Sequence, residues 1–157
     1  MTTSAKPTIR VVAAALYDGT GRVLIAERPP GKHMAGRWEF PGGKIATGES
    51  EAEALSRELR EELGIVVGSA RALMRLSHAY EDRLVELSLW VVVSYTGSPA
   101  SLDGQRLKWV PPEDLAAEDI LEADRPFVEA LARLPPPLEE TGPGGTARQA
   151  ESQEGCP

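Results

Sequence analysis

Residues 43–65 read GKIATGESEAEALSRELREELGI, and this stretch decides the fold. Ser50 can cap a helix that begins behind it, with Glu53 three residues on as the return partner of a capping box. Gly64 suits the position just past the helix end. Leu55, Leu59 and Leu63 recur every four residues, so a helix ending at Leu63 buries one leucine stripe. Glu58, Glu61 and Glu62 fall at i, i+3 and i+4 and project from one face beside that stripe. Like charges at this spacing repel by roughly 0.2–0.5 kcal/mol per pair. Arg57 and Arg60 relieve part of the repulsion. A hard divalent cation removes it, and Mg²⁺ favours a few carboxylates, retained waters and phosphate oxygens. The alternative is a solvated acidic helix face. The preceding run Trp38-Glu39-Phe40-Pro41-Gly42-Gly43-Lys44 weighs against that alternative. A Pro-Gly-Gly turn lets main chain approach a ligand closely, because glycine has no Cβ. A carbonyl exposed there adds one more oxygen ligand.

Outward from this helix the pattern is mixed. Thr8 to Tyr17 is an apolar, partly β-branched run, read as a buried strand. Asp18-Gly19-Thr20-Gly21 is a turn, and Arg22 to Glu27 continues as a second strand, giving an expected hairpin. Ala70 to Tyr80 and Leu84 to Tyr95 alternate around Glu81-Asp82-Arg83, a second hairpin. Leu107 to Val110 is a short strand and Pro112 to Ala117 a helical turn. Arg125 to Leu134 is a final helix, with Pro126 allowed in its first turn. Strands on both sides of a central helix predict an α+β layered domain over residues 1–134. Residues 135–157 hold nine Pro or Gly in 23 and a single large aliphatic residue, Leu138, so a disordered tail is expected.

The chain has 157 residues, 41% hydrophobic and 26% charged, enough for one domain with a sizeable core. No run of eighteen apolar residues exists, so no helical membrane span is expected. Met1 to Arg10 lacks the apolar stretch of a secretory leader, which points to a cytoplasmic protein. The single cysteine, Cys156, excludes a disulfide framework and a zinc–cysteine site. Net charge is −7, which argues against nucleic acid polymers and anionic membranes as partners. It does not argue against a small phosphate ligand, because the excess is local. Glu39 to Glu62 carries seven acids and three bases, the tail carries net −3, and the remainder sums to zero. An acidic segment of this kind would attract a divalent metal, and the metal would bring in a phosphate-bearing ligand.

Gly43, five residues, Glu49, seven residues, then Arg57-Glu58-Leu59-Arg60-Glu61-Glu62-Leu63-Gly64-Ile65 resembles the complete signature of the Nudix hydrolases. His33-Met34-Ala35-Gly36-Arg37-Trp38-Glu39-Phe40-Pro41-Gly42-Gly43-Lys44 resembles the MutT-like branch, the 8-oxo-dGTP diphosphatases. The similarity runs from about Ile9 to Leu134. The resemblance implies a Nudix fold, an α/β/α sandwich around a mixed sheet. It also implies Mg²⁺-dependent hydrolysis of a nucleoside triphosphate to monophosphate and pyrophosphate, with Mn²⁺ as a substitute metal, by a monomer or weak dimer. By matching positions it makes Gly42 a carbonyl ligand, and Glu58, Glu61 and Glu62 carboxylate ligands. Arg57 and Glu49 become the ion pair that stiffens loop and helix. Two groups compete as general base: Glu58, and Asp103 in Leu102-Asp103-Gly104-Gln105, which otherwise forms a plain Asp-Gly turn.

The resemblance also implies a pocket for base and phosphates built from Arg28, His33, Glu39, Phe40, Arg83 and Asp124. Phe40 could stack on a base or sit in the core. Arg28 and Arg83 could clamp phosphate, cover the base or lie exposed. His78, in an alternating strand, reads as structural, and Trp90 and Trp109 as core aromatics. Asp124 departs from the asparagine of the nearest MutT pattern. An ionised Asp only accepts hydrogen bonds, whereas Asn both donates and accepts. Ala-Asp before the last helix also resembles CTP and 5-substituted dCTP pyrophosphatases. Asp124 therefore leaves purine and pyrimidine substrates open, beside a simple helix N-cap.

Overall fold

The computed structural model describes residues 6–135 and Pro137. Seven strands run in chain order: β1 (Thr8–Leu16), β2 (Val23–Glu27), β3 (Trp38–Glu39), β4 (Gly42–Lys44), β5 (Val66–Ala79), β6 (Leu84–Thr96) and β7 (Leu107–Val110). Helix α1 (Glu51–Leu63) follows β4, and α2 (Arg125–Arg133) ends the described chain. Short 3₁₀ turns cover Pro112–Ala117 and Glu122–Asp124. The strands form a mixed four-stranded sheet, β4-β1-β6-β5, and an antiparallel three-stranded sheet, β3-β2-β7.

The expected β1–β2 hairpin is not formed. The two strands lie in different sheets and touch through one bridge, Tyr17 to Val23. The reason lies in β1 itself, where Val12 to Leu16 are buried on both faces. Such a two-faced run suits an interior strand, and β1 takes β4 as an antiparallel neighbour and β6 as a parallel one. The Asp18 carboxylate accepts main-chain bonds from Thr20 and Arg22 and carries the chain across to the other sheet. The β5–β6 hairpin forms as expected, though β5 begins earlier, at Val66.

Successive β1 residues face opposite ways, which splits the core in two. Val12, Ala14 and Leu16 pack with Leu55, Leu59 and Leu63 of α1. Ala13, Ala15 and Tyr17 pack with Phe127, Val128 and Leu131 of α2. A helix on each face of the sheet is the expected α/β/α sandwich. Partly buried Trp90 and Trp109 pack against the α1 core, as expected. Among the described residues no helix is long and apolar enough to cross a membrane. The expected tail, and Cys156 with it, lies outside the described residues apart from Pro135 and Pro137.

Candidate active site

Helix α1 is fixed at both ends by local chemistry. The Ser50 side chain accepts from the Glu53 N–H, and the Glu53 carboxylate accepts from the Ser50 N–H, completing the capping box. Gly64 closes the helix in the left-handed region at φ 74°. The first-turn residue Glu51 bolts the helix to the sheet by accepting from Arg75, Ser88 and Trp90.

Arg57 is the hub of the acidic segment. Its guanidinium donates to Glu49 at 2.6 and 2.9 Å, to Glu58 at 3.0 Å, to Glu61 at 3.3 Å and to the Lys44 carbonyl at 3.1 Å. A planar fork with five donors suits this bridging in a way that lysine does not. The pairing holds the Glu49 carboxyl down to about 2. It also closes the loop from Lys44 to Glu49, where the Ala46 N–H donates to the same carboxylate.

The three glutamates are not equivalent. Glu58 and Glu62 lie against each other, half-buried, with their carboxyls within hydrogen-bonding reach. Burial raises the Glu58 carboxyl despite Arg57. Burial, followed by the negative charges of Glu58, Glu39 and Asp103, pushes Glu62 up to about 8, while a bond from the Gly42 N–H opposes the rise. Glu61 is exposed, with 59% of its side chain open, and stays with Arg57. Among the described residues, no three acidic, histidine or cysteine side chains converge in this conformation closely enough to hold an ion. The donor set is nonetheless entirely oxygen, and its two innermost members crowd each other. That is the chemistry a hard divalent cation fits. Gly43 is part of the same construction. A Cβ there would collide with the Glu58 carboxylate, and one on Gly42 would collide with the Val12 carbonyl. The Pro-Gly-Gly turn therefore lets β4 lie between β1 and the acidic helix face.

A second cluster adjoins the first through Glu39. Arg28 donates to the Glu39 carboxylate at 2.7 Å and to the His33 carbonyl at 2.7 Å. Burial raises Glu39 above the usual carboxylate range, against the pull of Arg28. Asp124 is 4% exposed. Although it stands at the N-cap of α2, its side chain makes no cap bond. It accepts instead from the Phe40 N–H, and burial, with Glu39 nearby, pushes it up to about 7. The N-cap reading is corrected in part: Asp124 holds the N-cap position, but its carboxyl turns inward to the Phe40 N–H instead of capping the helix.

Phe40 is corrected as well. Its ring is 3% exposed and meets Phe127 edge-on at 6.3 Å, so it belongs to the core and contributes its main chain. A half-buried aromatic beside this cluster is Tyr80, which the sequence alone does not single out. His33 meets its ring edge-on at 6.0 Å, His78 at 4.6 Å, and the Arg83 guanidinium lies 5.3 Å from its centre. Burial raises its hydroxyl, the charge of Asp124 adds to the rise, and Arg83 and Arg28 oppose it. The visible signal was its place at the end of the β5 pattern, one residue before the turn that presents Arg83. His78, read as structural, supports this ring from below. Asp103 is exposed in the β6–β7 loop, near enough to Glu62 to raise it.

The NUDIX domain family matches residues 12–130. This chain belongs to the Nudix family. It is a Nudix hydrolase, α+β in class and similar to MutT-like members. It is 37% identical over 123 residues to the CTP pyrophosphohydrolase of Escherichia coli K12, covering 78% of this chain and 91% of that protein. It is 32% identical over 126 residues to the 8-oxo-dGTP diphosphatase of the same organism, covering 80% and 98%. The solution structure of the E. coli ORF135 protein superposes with a TM-score of 0.74 at 36% identity, covering 82% of this chain and 91% of that one. Nudix hydrolases act on nucleotides and generally use divalent metal ions.

Proposed function

We propose that this hydrolase sanitises the nucleotide pool, cleaving 8-oxo-dGTP to 8-oxo-dGMP and pyrophosphate with Mg²⁺. The observation that carries the reading is the inward-facing, buried Asp124 carboxyl beside Glu39 and the Phe40 N–H, which burial pushes up to about 7 so that the protonated form is well populated at neutral pH. A neutral carboxyl donates from O–H and accepts at its other oxygen, as an asparagine does. Guanine offers two acceptors, N7 and O6, on that edge. 8-Oxoguanine converts N7 into an N–H donor beside O6. Neutral Asp124 therefore matches the oxidised base and leaves two acceptors facing each other with guanine.

Glu58 and Glu62 would hold the metal, joined by Gly42 and by Glu61 once it swings from Arg57. When bound, the cation supplies neutralisation of the phosphate charge and a more acidic water. Of the two candidates for proton acceptor, Asp103 is the one left free to meet a water. It is exposed, whereas Glu58 is pinned between Arg57 and Glu62. Water adds to phosphorus, its proton passes to the Asp103 carboxylate, and the α–β anhydride bridge breaks. Arg57 and Glu49 keep the metal loop stiff. Arg28 and Glu39 brace the pocket wall, and Arg83, Tyr80 and His33 enclose the base.

A second reading, CTP pyrophosphohydrolysis, is favoured by the same carboxyl. Cytosine sets an amino donor beside the N3 acceptor, which a neutral Asp124 also satisfies, and a relative of that activity matches at 37% identity. Separate assays of 8-oxo-dGTP, dGTP and CTP with Mg²⁺ and with EDTA test the proposal. Pyrophosphate and monophosphate should appear only with metal, and kcat/KM should be highest for 8-oxo-dGTP. Turnover in EDTA, or a kcat/KM for dGTP equal to that for 8-oxo-dGTP, would overturn it.

A further inference from the structure

The β6–β7 loop that carries Asp103 is fastened by side chains with no other evident use. The Ser101 hydroxyl donates toward Gln105, to both its carbonyl and its side-chain Oε1. The same Oε1 accepts from the Asp103 N–H at 3.1 Å. Gly104, at φ 80°, supplies the left-handed residue that closes this turn. The closed loop is then tied to α1. The Ala100 N–H donates to the Leu63 carbonyl at 3.0 Å, and the Leu102 N–H to the Glu62 carbonyl at 3.1 Å. Both acceptors are among the last carbonyls of the helix, which have no partner within it. The tie therefore satisfies groups that need one, and it attaches the residue before Asp103 to Glu62 itself.

This arrangement matters because aspartate is short. A glutamate reaches a target through three side-chain torsions, whereas the place of an aspartate carboxylate is set largely by its main chain. Among the described residues, no donor holds the Asp103 oxygens; they are open to accept a proton. We infer that Ser101 and Gln105 are positioning residues, locking the turn so that the Asp103 carboxylate stands at the Glu62 end of α1. The inference rests on the proposal that Asp103 takes the proton.

A double-mutant cycle tests it, with kcat and KM measured under saturating Mg²⁺ on whichever triphosphate is turned over best. Asp103→Asn should lower kcat by about 100-fold or more, the usual scale for a general base. Gln105→Ala and Ser101→Ala should each lower kcat by about 10-fold at unchanged KM, since a small misplacement of a reacting group costs on that scale. In the Asp103→Asn background, Gln105→Ala should add nothing. Ser101→Thr, which keeps the hydroxyl, should recover the activity that Ser101→Ala loses. Thermal melts within a few degrees of the parent confirm folded variants. Losses that multiply with Asp103→Asn would overturn the inference, because they would not act through Asp103. So would alanine variants of full activity beside a crippled Asp103→Asn. Full activity of Asp103→Asn itself would instead remove the proton-acceptor reading, and the inference with it.

Discussion

Replacing Asp124 with asparagine separates the neutral from the ionised carboxyl, and its effect can be worked from the site. Asp124 lies near pH 7 in the folded chain, against an ordinary value of 3.8. Below pH 6 the wild-type carboxyl is almost wholly neutral, and above pH 7 its neutral fraction falls about tenfold per pH unit. The ionised form can accept from N1–H and the 2-amino group of guanine, but it cannot donate to O6 of the oxidised base. An acceptor left without its donor in a buried site costs about 1–3 kcal/mol, or roughly 5- to 150-fold. The ratio of kcat/KM for 8-oxo-dGTP to that for dGTP cancels the titration of metal ligands and phosphates common to both substrates. In wild type this ratio should fall from pH 6.5 to 8.5, by about tenfold or more. In Asp124→Asn it should stay high and flat. The same shift appears in stability. The folded carboxyl is raised, so its contribution is complete below about pH 4, declines as pH rises and is gone above about pH 7. The span is about three pH units, an upper bound near 4 kcal/mol. Melts of the metal-free protein should show Asp124→Asn gaining on wild type between pH 5 and 8. A ratio flat with pH in wild type, or a variant that loses its preference for the oxidised base, would refute the reasoning.

Other expectations follow from the same geometry. Glu62→Gln should lower Mg²⁺-dependent turnover by about 100-fold or more. It should leave the metal-free protein folded and relatively more stable at pH 8, because it removes a carboxyl pushed up to about 8; near-normal turnover on titration with Mg²⁺ would remove Glu62 from the ligand set. Arg57→Lys should raise the Mg²⁺ concentration needed for half-maximal activity, since a point charge cannot bridge Glu49, Glu58 and Glu61 at once; an unchanged metal requirement would show that the fork is not needed. Tyr80→Ala should raise KM by about 10-fold or more while Tyr80→Phe stays close to wild type, since base–aromatic stacking contributes about 1–3 kcal/mol; equal KM values in all three would place the base elsewhere.

How much of this is legible in the sequence depends on how local each feature is. The capping box, the leucine stripe and the Gly64 stop are written within fifteen residues, and the structure reproduces each of them. The grouping of Glu58 and Glu62 follows from the helical repeat alone. What the repeat could not say is that Glu61, only one residue before Glu62, faces outward to solvent and Arg57. The β1–β2 hairpin failed because the turn at Asp18 looks like any hairpin turn. The pairing of a strand buried on both faces is decided by partners far along the chain, as with Thr8 and Leu84. Phe40 and Tyr80 exchanged roles for a similar reason. Whether an aromatic ring points into a core or a pocket depends on which residue packs opposite it, here Phe127 for one and His33, His78 and Arg83 for the other. At Asp124 the sequence leaves purine, pyrimidine and helix cap open, because the state of its carboxyl depends on burial and on neighbours from other elements.

The most direct test of the central claim is an internal competition. Equal concentrations of 8-oxo-dGTP, dGTP and CTP are mixed with enzyme and Mg²⁺ at pH 7, and the three monophosphates are quantified at low conversion. Their ratio is the ratio of kcat/KM values, free of differences between assays. An excess of 8-oxo-dGMP over dGMP and CMP by tenfold or more is the predicted result. A product mixture led by CMP or dGMP would contradict the account.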